Sequence, residues 1–280
     1  MRRPFVVALL VLAALQGCTK EASPPSVVPA AVQLPGAPPK LHAPQLPHSR
    51  APEVVACTAA LEKGDLAQAR ALLLELGERE APDSDCLRAR LLAAQGDAVG
   101  AVREIQAAHK RFPGQSALYA TLAEIYATDG RLESAQDEIR SGLAVAGPTP
   151  DLARARGVLM LLQQGGARAG LKHLLAAVHD APDLPFCRAP LAEAHRLVAT
   201  EELGKQHPVE ALAHVRLGLE LEPENPDLQL LQADALIANQ KYDEGLPAYE
   251  ELVRKGRDIG AALRLYYQKG ATFALVEGRP

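Results

Sequence analysis

The sequence predicts an all-α protein, a stack of short helical hairpins behind a long irregular lead. Three observations predict it. The chain of 280 residues is 48% hydrophobic, rich in Ala and Leu, with 4% aromatic residues and no Trp. That composition suits closely packed helices better than sheets, which favour β-branched and aromatic residues. Turn dipeptides recur at Gly64-Asp65, Gly96-Asp97, Gly130-Arg131 and Gly165-Gly166, spaced by 32, 34 and 35 residues. Prolines at 82, 113, 148, 182 and 223 follow the apolar second half of successive units, as expected just beyond a helix end.

Taken in order, the chain opens with a short positive head, Arg2 and Arg3, and an apolar run from Phe5 to Leu15. The run has secretory-signal length and is too short to span a bilayer as a helix, which needs about 20 apolar residues. Leu15-Gln16-Gly17-Cys18 resembles the bacterial lipobox. The resemblance implies cleavage before Cys18 and acylation of its thiol and new amino group, with palmitate-type chains holding the protein to a membrane. Such binding grows by about 0.8 kcal/mol per buried CH₂, so more than one chain holds firmly. An ordinary signal peptide cut elsewhere is the plainer alternative. Thr19 rather than Asp after the anchor implies, by the same resemblance, the outer membrane, with the body expected to face the periplasm.

From Thr19 to Arg50 there are eight prolines in 32 residues and no helical or strand period. This segment reads as an extended tether reaching on the order of 100 Å at roughly 3.1 Å per residue. The expected divisions are therefore a signal over 1–17, a lipidated tether over 18–50, a repeat body over 51–257 and a capping helix with tail over 258–280.

The body repeats. Five residues after each turn glycine stands a small residue (Ala69, Ala101, Ala135, Gly170), and seven before it another compact one (Cys57, Ala89, Ala123, Val158). With Gln206 and Gln240 as turn equivalents the same rule places Ala211 and Gly245 after, and Ala199 and Ala233 before. Each unit then reads as two antiparallel helices joined by a tight turn, and six units fit. Where two helices cross, a side chain larger than methyl would push the axes apart. Thr149-Pro150 and Asn225-Pro226 each offer an N-cap followed by Pro at the first helical position. Two departures stand out. The step from Gly165 to Gln206 is 41 residues, which predicts a first helix lengthened by about two turns, near 190–203. Pro247 falls early in the last second helix, either harmlessly in its first turn or as a kink. Residues 258–270 read as a final amphipathic helix closing the stack.

The third unit carries a family resemblance. Tyr119-x-x-Leu122-Ala123-x-x-Tyr126 followed by Ala135-x-x-x-Ile139 resembles the tetratricopeptide repeat, with Tyr for Trp and Ala for Gly. The resemblance implies a tetratricopeptide-repeat (TPR) solenoid of about six helix-turn-helix repeats, stable only through stacking on neighbours. It further implies a concave face lined by the first helix of each hairpin. Stripes there would be Cys86/Arg90/Ala93, Ala120/Glu124/Ala127, Ala155/Leu159/Leu162 and Leu230/Asp234/Ile237. Arg90, Glu124, Leu159, Leu162, Leu230, Asp234 and Ile237 are accordingly the expected partner-binding groove, apolar in its later half and suited to an amphipathic segment. Self-packing against the longer fifth-unit helix is the competing reading. The Lys/Asn pattern by which chaperone-binding relatives clamp terminal carboxylates is absent.

Little points to chemistry. No two of the eight histidines stand at i, i+4, and no H-E-x-x-H, Cys-x-x-Cys, G-x-S-x-G or P-loop is present. The glycines of "GGARAG" at 165–170 belong to a hairpin turn and a helix crossing. The chain is expected not to be an enzyme and to need no cofactor or metal. Cys57, Cys86 and Cys187 are either one disulfide and a spare thiol or three small buried residues. A formal charge of −4, or −6 without Arg2 and Arg3, argues against a general nucleic-acid role. Residues 201–251 hold twelve acidic and three basic side chains, and 254–279 six basic and two acidic. This is a solvated helical face or a flank that steers a basic partner.

The expected function is a membrane-anchored protein–protein scaffold or assembly factor. Its expected partner is an envelope or outer-membrane assembly subunit. The resemblance extends to outer-membrane TPR lipoproteins, including pilotins of type IV pilus secretins. An adaptor that localises or regulates a peptidoglycan enzyme is the alternative.

Overall fold

The computed structural model describes residues 43–77 and 81–257. The expected signal, Cys18, the expected tether up to residue 42 and the expected capping helix lie outside the described residues. Twelve helices follow one another among the described residues. They are α1 (Pro52–Glu62), α2 (Leu66–Leu76), α3 (Pro82–Ala94), α4 (Ala98–Arg111), α5 (Ser116–Thr128), α6 (Leu132–Ala146), α7 (Pro150–Leu161), α8 (Ala167–Asp180), α9 (Arg188–Gly204), α10 (Pro208–Leu221), α11 (Pro226–Ala238) and α12 (Tyr242–Arg254).

Local sequence explains where helices begin and end. Asp65 and Asp97 cap α2 and α4 by accepting from the amides of Gln68 and Gly100. Thr149 and Asn225 do the same for α7 and α11, each followed by a proline whose missing N–H costs nothing there. Pro113, Pro148, Pro182 and Pro223 each lie two residues past the end of an even-numbered helix, whereas Pro82 opens α3. The turns inside hairpins need a left-handed residue. Gly64, Gly96, Gly130 and Gly165 supply it in the first four units, and Gln206 and Gln240 adopt φ of 65° and 60° in the last two. The turn geometry persists where glycine does not, against a left-handed penalty of roughly 1–2 kcal/mol for a residue with a Cβ.

The crossing sites are as small as the repeat requires. Cys57, Ala69, Ala89, Ala101 and Ala135 are wholly buried, as are Ala199, Ala211 and Ala233. The fourth unit differs by one residue. Val158 is only half-buried, and the close approach is made by Gly157 and Gly170. A Cβ on Gly170 would stand 2.5 Å from a Leu161 methyl and 3.0 Å from the Gly157 carbonyl oxygen.

Each odd helix packs on its hairpin partner and also on the next odd helix: α1 on α3, α3 on α5, α5 on α7, α7 on α9, α9 on α11. The odd helices therefore form the inner layer of the solenoid and the even ones the outer. The core is a chain of local clusters, the largest running from α3 to α7 around Ile105, Leu118 and Leu152. The long fifth unit divides its extra residues between helix and connector. Helix α9 has 17 residues where α5 and α11 have 13, and the connector before it spans 181–187 where the next spans 222–225. Pro247 lies inside α12, past its first turn.

Residues 43–50, the last eight of the expected tether, are extended and dock on the solenoid. The amide of Ala43 donates to the Val145 carbonyl at 2.9 Å; the Gln45 side chain bonds the backbone of Gly114 and Ser116, and the Gln115 side chain that of Pro44 and Leu46. Hydrophobic periodicity misses this segment because its contacts are polar: Gln45, His48 and Ser49 hold it, while Leu46 stays 58% exposed.

Candidate functional site

Inner helices α1, α3, α5, α7 and α9 enclose a cleft of about 1170 Å³. Val54, Thr58, Arg90, Leu184, Phe186 and Leu191 are among its lining. Two irregular segments of the chain partly cover it. One is the strap formed by residues 43–50. The other is the long connector 181–187, whose Phe186 amide donates to Glu62 of α1 at 2.6 Å. The Phe186 ring lies 4.0 Å from the Arg90 guanidinium carbon, a cation–π contact. Phe186 holds φ of 61°, a left-handed conformation rare in an aromatic residue. The extra connector length of the fifth unit thus reaches the first unit.

The floor of the cleft is ionic. Arg154 on α7 is 2% exposed. Its Nε donates to Glu124 at 2.8 Å, and its Nη1 donates to Asp151 at 3.1 Å and to the Pro185 carbonyl at 2.9 Å. Arg90 on α3 donates to the other Glu124 oxygen. Burial by itself would raise the Glu124 carboxyl; the charges of Arg154 and Arg90 outweigh it and hold the group below the usual carboxylate range. Asp151 is likewise pulled down, against burial, by the hydrogen bond from His48 and the charge of Arg154.

His48 closes the network. Its Nδ1 is 2.9 Å from Asp83 and its Nε2 3.2 Å from Asp151, so two carboxylates bracket one imidazole. Hydrogen bonds to Asp151 and Asp83 raise its pKa to about 9 against the opposing effect of burial. Asp83 also accepts from the Ser49 amide. Asp83 and Asp151 sit in the first turns of α3 and α7, where the helix dipole favours negative charge.

The cleft offers no activated nucleophile among the described residues. Cys57, Cys86 and Cys187 are free and buried. Burial pushes Cys86 up to about 12 and Cys187 up to about 11, so both remain protonated thiols at neutral pH. His195 and His214, on α9 and α10, approach with Nδ1 atoms 3.1 Å apart. Burial and the neighbouring ring push His195 down to about 4. No group of three or more His, Cys, Asp or Glu residues able to hold a metal occurs among the described residues.

The seven expected groove residues divide. Arg90 and Glu124 meet as an ion pair in the floor. Leu159, 3% exposed, belongs to the central core, and Ile237 packs with Ala233 and Tyr249, with Leu230 against them. Asp234 accepts from the Tyr249 hydroxyl. Leu162 is the residue just past the end of α7, 49% exposed. The expected apolar later half therefore lies largely within the packing between neighbouring helices rather than on an open face. The i, i+4, i+7 stripe fails to distinguish a residue facing the groove from one facing the adjacent odd helix. The residues that do frame the cleft, His48, Asp83, Asp151, Arg154 and Phe186, were absent from the expected set. A signal for part of it exists: Pro82-Asp83 and Pro150-Asp151 repeat an acid at the same position of alternate hairpins, and Asp151-x-x-Arg154 is a helical i, i+3 pair.

With this geometry in place, comparisons with known proteins agree on the fold. The family described as "Tetratricopeptide repeat" matches residues 92–159, the stretch from late α3 to α7. A chain of the APC/C hetero-tetramer Cut9–Hcn1 superposes with a TM-score of 0.56 at 16% identity, over 76% of this chain and 43% of that one. Pseudomonas aeruginosa pilF gives 0.53 at 19% identity, over 71% of this chain and 91% of that one. Human IFIT1, in a dimer with PPP-AAAA, gives 0.51 at 15% identity, over 72% of this chain and 50% of that one. This chain thus spans less than half the length of the Cut9–Hcn1 chain and half that of IFIT1. No curated protein matches by sequence. The fold is an all-helical TPR solenoid.

Proposed function

We propose that this chain is a non-enzymatic, membrane-anchored scaffold that holds or helps to assemble a protein of the cell envelope, with a pilus secretin as the specific candidate. The observation that carries the scaffold reading is the inner-face cleft of about 1170 Å³. The charges of its floor, Arg90, Glu124, Asp151 and Arg154, pair with one another, and its two thiols are held protonated. Such a cleft can bind polypeptide but offers no group poised for bond making. The envelope assignment rests on the lipobox-like Leu15–Cys18 and on the long proline-rich lead. The pilotin candidate comes from the resemblance to outer-membrane TPR lipoproteins read from the sequence, and the likeness to pilF over 91% of that chain adds a shared fold.

Mass spectrometry of what co-purifies with the crosslinked, detergent-extracted native protein tests the reading. One dominant secretin subunit is the expected result, with loss of secretin multimers on deletion while monomer is still made. Recovery of a wall hydrolase or synthase with unchanged multimers would replace assembly by an adaptor role. Cys18→Ser is expected to move the protein from membrane to soluble fractions, and unchanged membrane attachment would remove the lipid anchor from the proposal.

A further inference from the structure

We propose that Asp83 and Asp151 form a bracket for a basic side chain on an extended peptide, that residues 43–50 fill it as a built-in ligand, and that a partner's basic segment binds by displacing this strap. The proposal rests on the scaffold reading and adds to it the chemistry of the partner and the means of control.

The strap already shows what the site accepts. It is an extended chain, stiffened by Pro44 and Pro47, and held by polar contacts at three stations. The first is the Ala43 amide on the Val145 carbonyl. At the second, the Gln115 side chain accepts from the Leu46 amide at 2.8 Å and donates to the Pro44 carbonyl at 2.9 Å. There too the Gln45 side chain accepts from the Ser116 amide at 2.8 Å. The bonds to Ala43, Pro44 and Leu46 read backbone, and the Gln45 amide is a neutral side chain, so these two stations carry no selection for charge. The third station does. Asp83 and Asp151 come from helices that are not sequence neighbours, and they converge on opposite nitrogens of one ring. Both nitrogens donate only when the imidazole is protonated. The bracket therefore selects for a cation, and lysine or arginine would satisfy it as histidine does. Arg154 neutralises part of Asp151 from below, Asp83 has no such guanidinium partner among the described residues, and Arg50 turns away to pair with Asp183.

The strap makes few apolar contacts to offset its ordering, since residues 44–47 are exposed. It is tethered directly to α1, at an effective concentration of order millimolar. A short link of this kind keeps the site filled against weak ligands and yields to a partner that adds apolar contacts in the cleft beyond it.

The test uses the full chain and a synthetic fluorescent peptide of residues 41–51, followed by anisotropy. Loosening the strap with Gln45→Ala/His48→Ala removes side chains that are not part of the helical core, so the solenoid is left intact. This variant is expected to bind the peptide at least 10-fold more tightly than the unmodified protein. The same peptide carrying His48→Ala should lose at least 10-fold on that variant, and a peptide carrying His48→Lys should retain binding. In the loosened background, Asp83→Asn/Asp151→Asn should abolish selectivity for the basic side chain. Equal peptide affinity for the unmodified and loosened proteins would overturn the strap. Equal affinity for the His48→Ala and unaltered peptides would overturn the bracket. Hydrogen exchange provides an independent readout that needs no variant. An excess of the His48→Lys peptide should speed exchange of the Leu46 and Ser49 amides of the intact chain, and unchanged exchange at saturating peptide would refute displacement. Because the probe is synthetic, these results stand apart from the crosslinking outcome that decides the envelope role.

Discussion

Replacing Glu124 by alanine tests whether the cleft is floored by desolvated charge. In the structure Glu124 lies between two guanidinium groups, 2.8 Å from Arg154 Nε and bonded to Arg90. Arg154 is 2% exposed, so water cannot replace the lost carboxylate. Deleting one partner of such a buried pair costs about 3–5 kcal/mol, because the remaining charge is left uncompensated. Arg154 would keep Asp151 at 3.1 Å and the Pro185 carbonyl at 2.9 Å, and Arg90 would keep its stack on Phe186. These surviving contacts place the expected loss at the lower end, about 3 kcal/mol. For a domain of this size that lowers Tm by roughly 6–12 °C, read by far-UV circular dichroism with urea unfolding as a second measure. Glu124→Leu/Arg154→Met should recover part of the loss, since the most buried charge goes with its partner, while Arg90 and Asp151 each still lose one contact. A loss under about 1 kcal/mol for Glu124→Ala, or a double variant no more stable than the single one, would refute the reasoning.

Three further expectations follow from other parts of the molecule. The folded pKa of His48, about 9, lies above the ordinary value, so the strap's ionic contribution is full below about pH 6.5 and vanishes as pH rises through about 9. Discounted for the exposed third of the side chain, it amounts to roughly 1–2 kcal/mol. NMR titration of His48 checks it, and a midpoint near 6.5 would contradict the bracket. Gln206→Gly/Gln240→Gly relieves two left-handed residues and should raise stability by about 1 kcal/mol in total, the steric gain exceeding glycine's entropy cost; an unchanged or lower urea midpoint would count against it. Gly170→Ala forces a Cβ toward the Gly157 carbonyl at 3.0 Å, which cannot yield as a side chain can. It should cost about 1–2 kcal/mol despite alanine's better helix propensity, and a stabilised variant would show that the α7–α8 crossing has slack.

The hairpin stack was legible because it is written in residues whose requirements are local. A tight turn needs a left-handed residue, a crossing needs a small one, and a helix start needs a cap; all three recur at fixed offsets, so the register survives even at Gln206 and Gln240. Where a requirement is shared between neighbouring positions, the reading slips by one: the fourth crossing uses Gly157 rather than Val158. The excess in the fifth unit was expected in the helix alone, yet part of it forms the connector that carries Phe186 to Glu62. That contact joins residues 124 positions apart, and no local pattern encodes it.

The cleft was poorly legible for a physical reason of its own. Apolar stripes mark burial, and in a solenoid most burial lies between neighbouring helices. A stripe therefore leads to Leu159 and Ile237, which serve the stack. The surface left over for a partner is defined by groups the stack does not need, here Asp83, His48 and the ionic floor beneath them. Such groups are polar, and apart from the Asp151–Arg154 pair their partners lie 30 to 103 residues away. Arg90 and Glu124 stand on the stripe by its period alone, and their pairing follows from charge, because a charged residue at an inward position must have a compensating partner. Extending that rule to Asp151-x-x-Arg154 leads to the floor, and asking what neutralises the remaining acids leads to His48. Charge bookkeeping on inward positions, rather than hydrophobic periodicity, is the sequence signal that leads to this cleft.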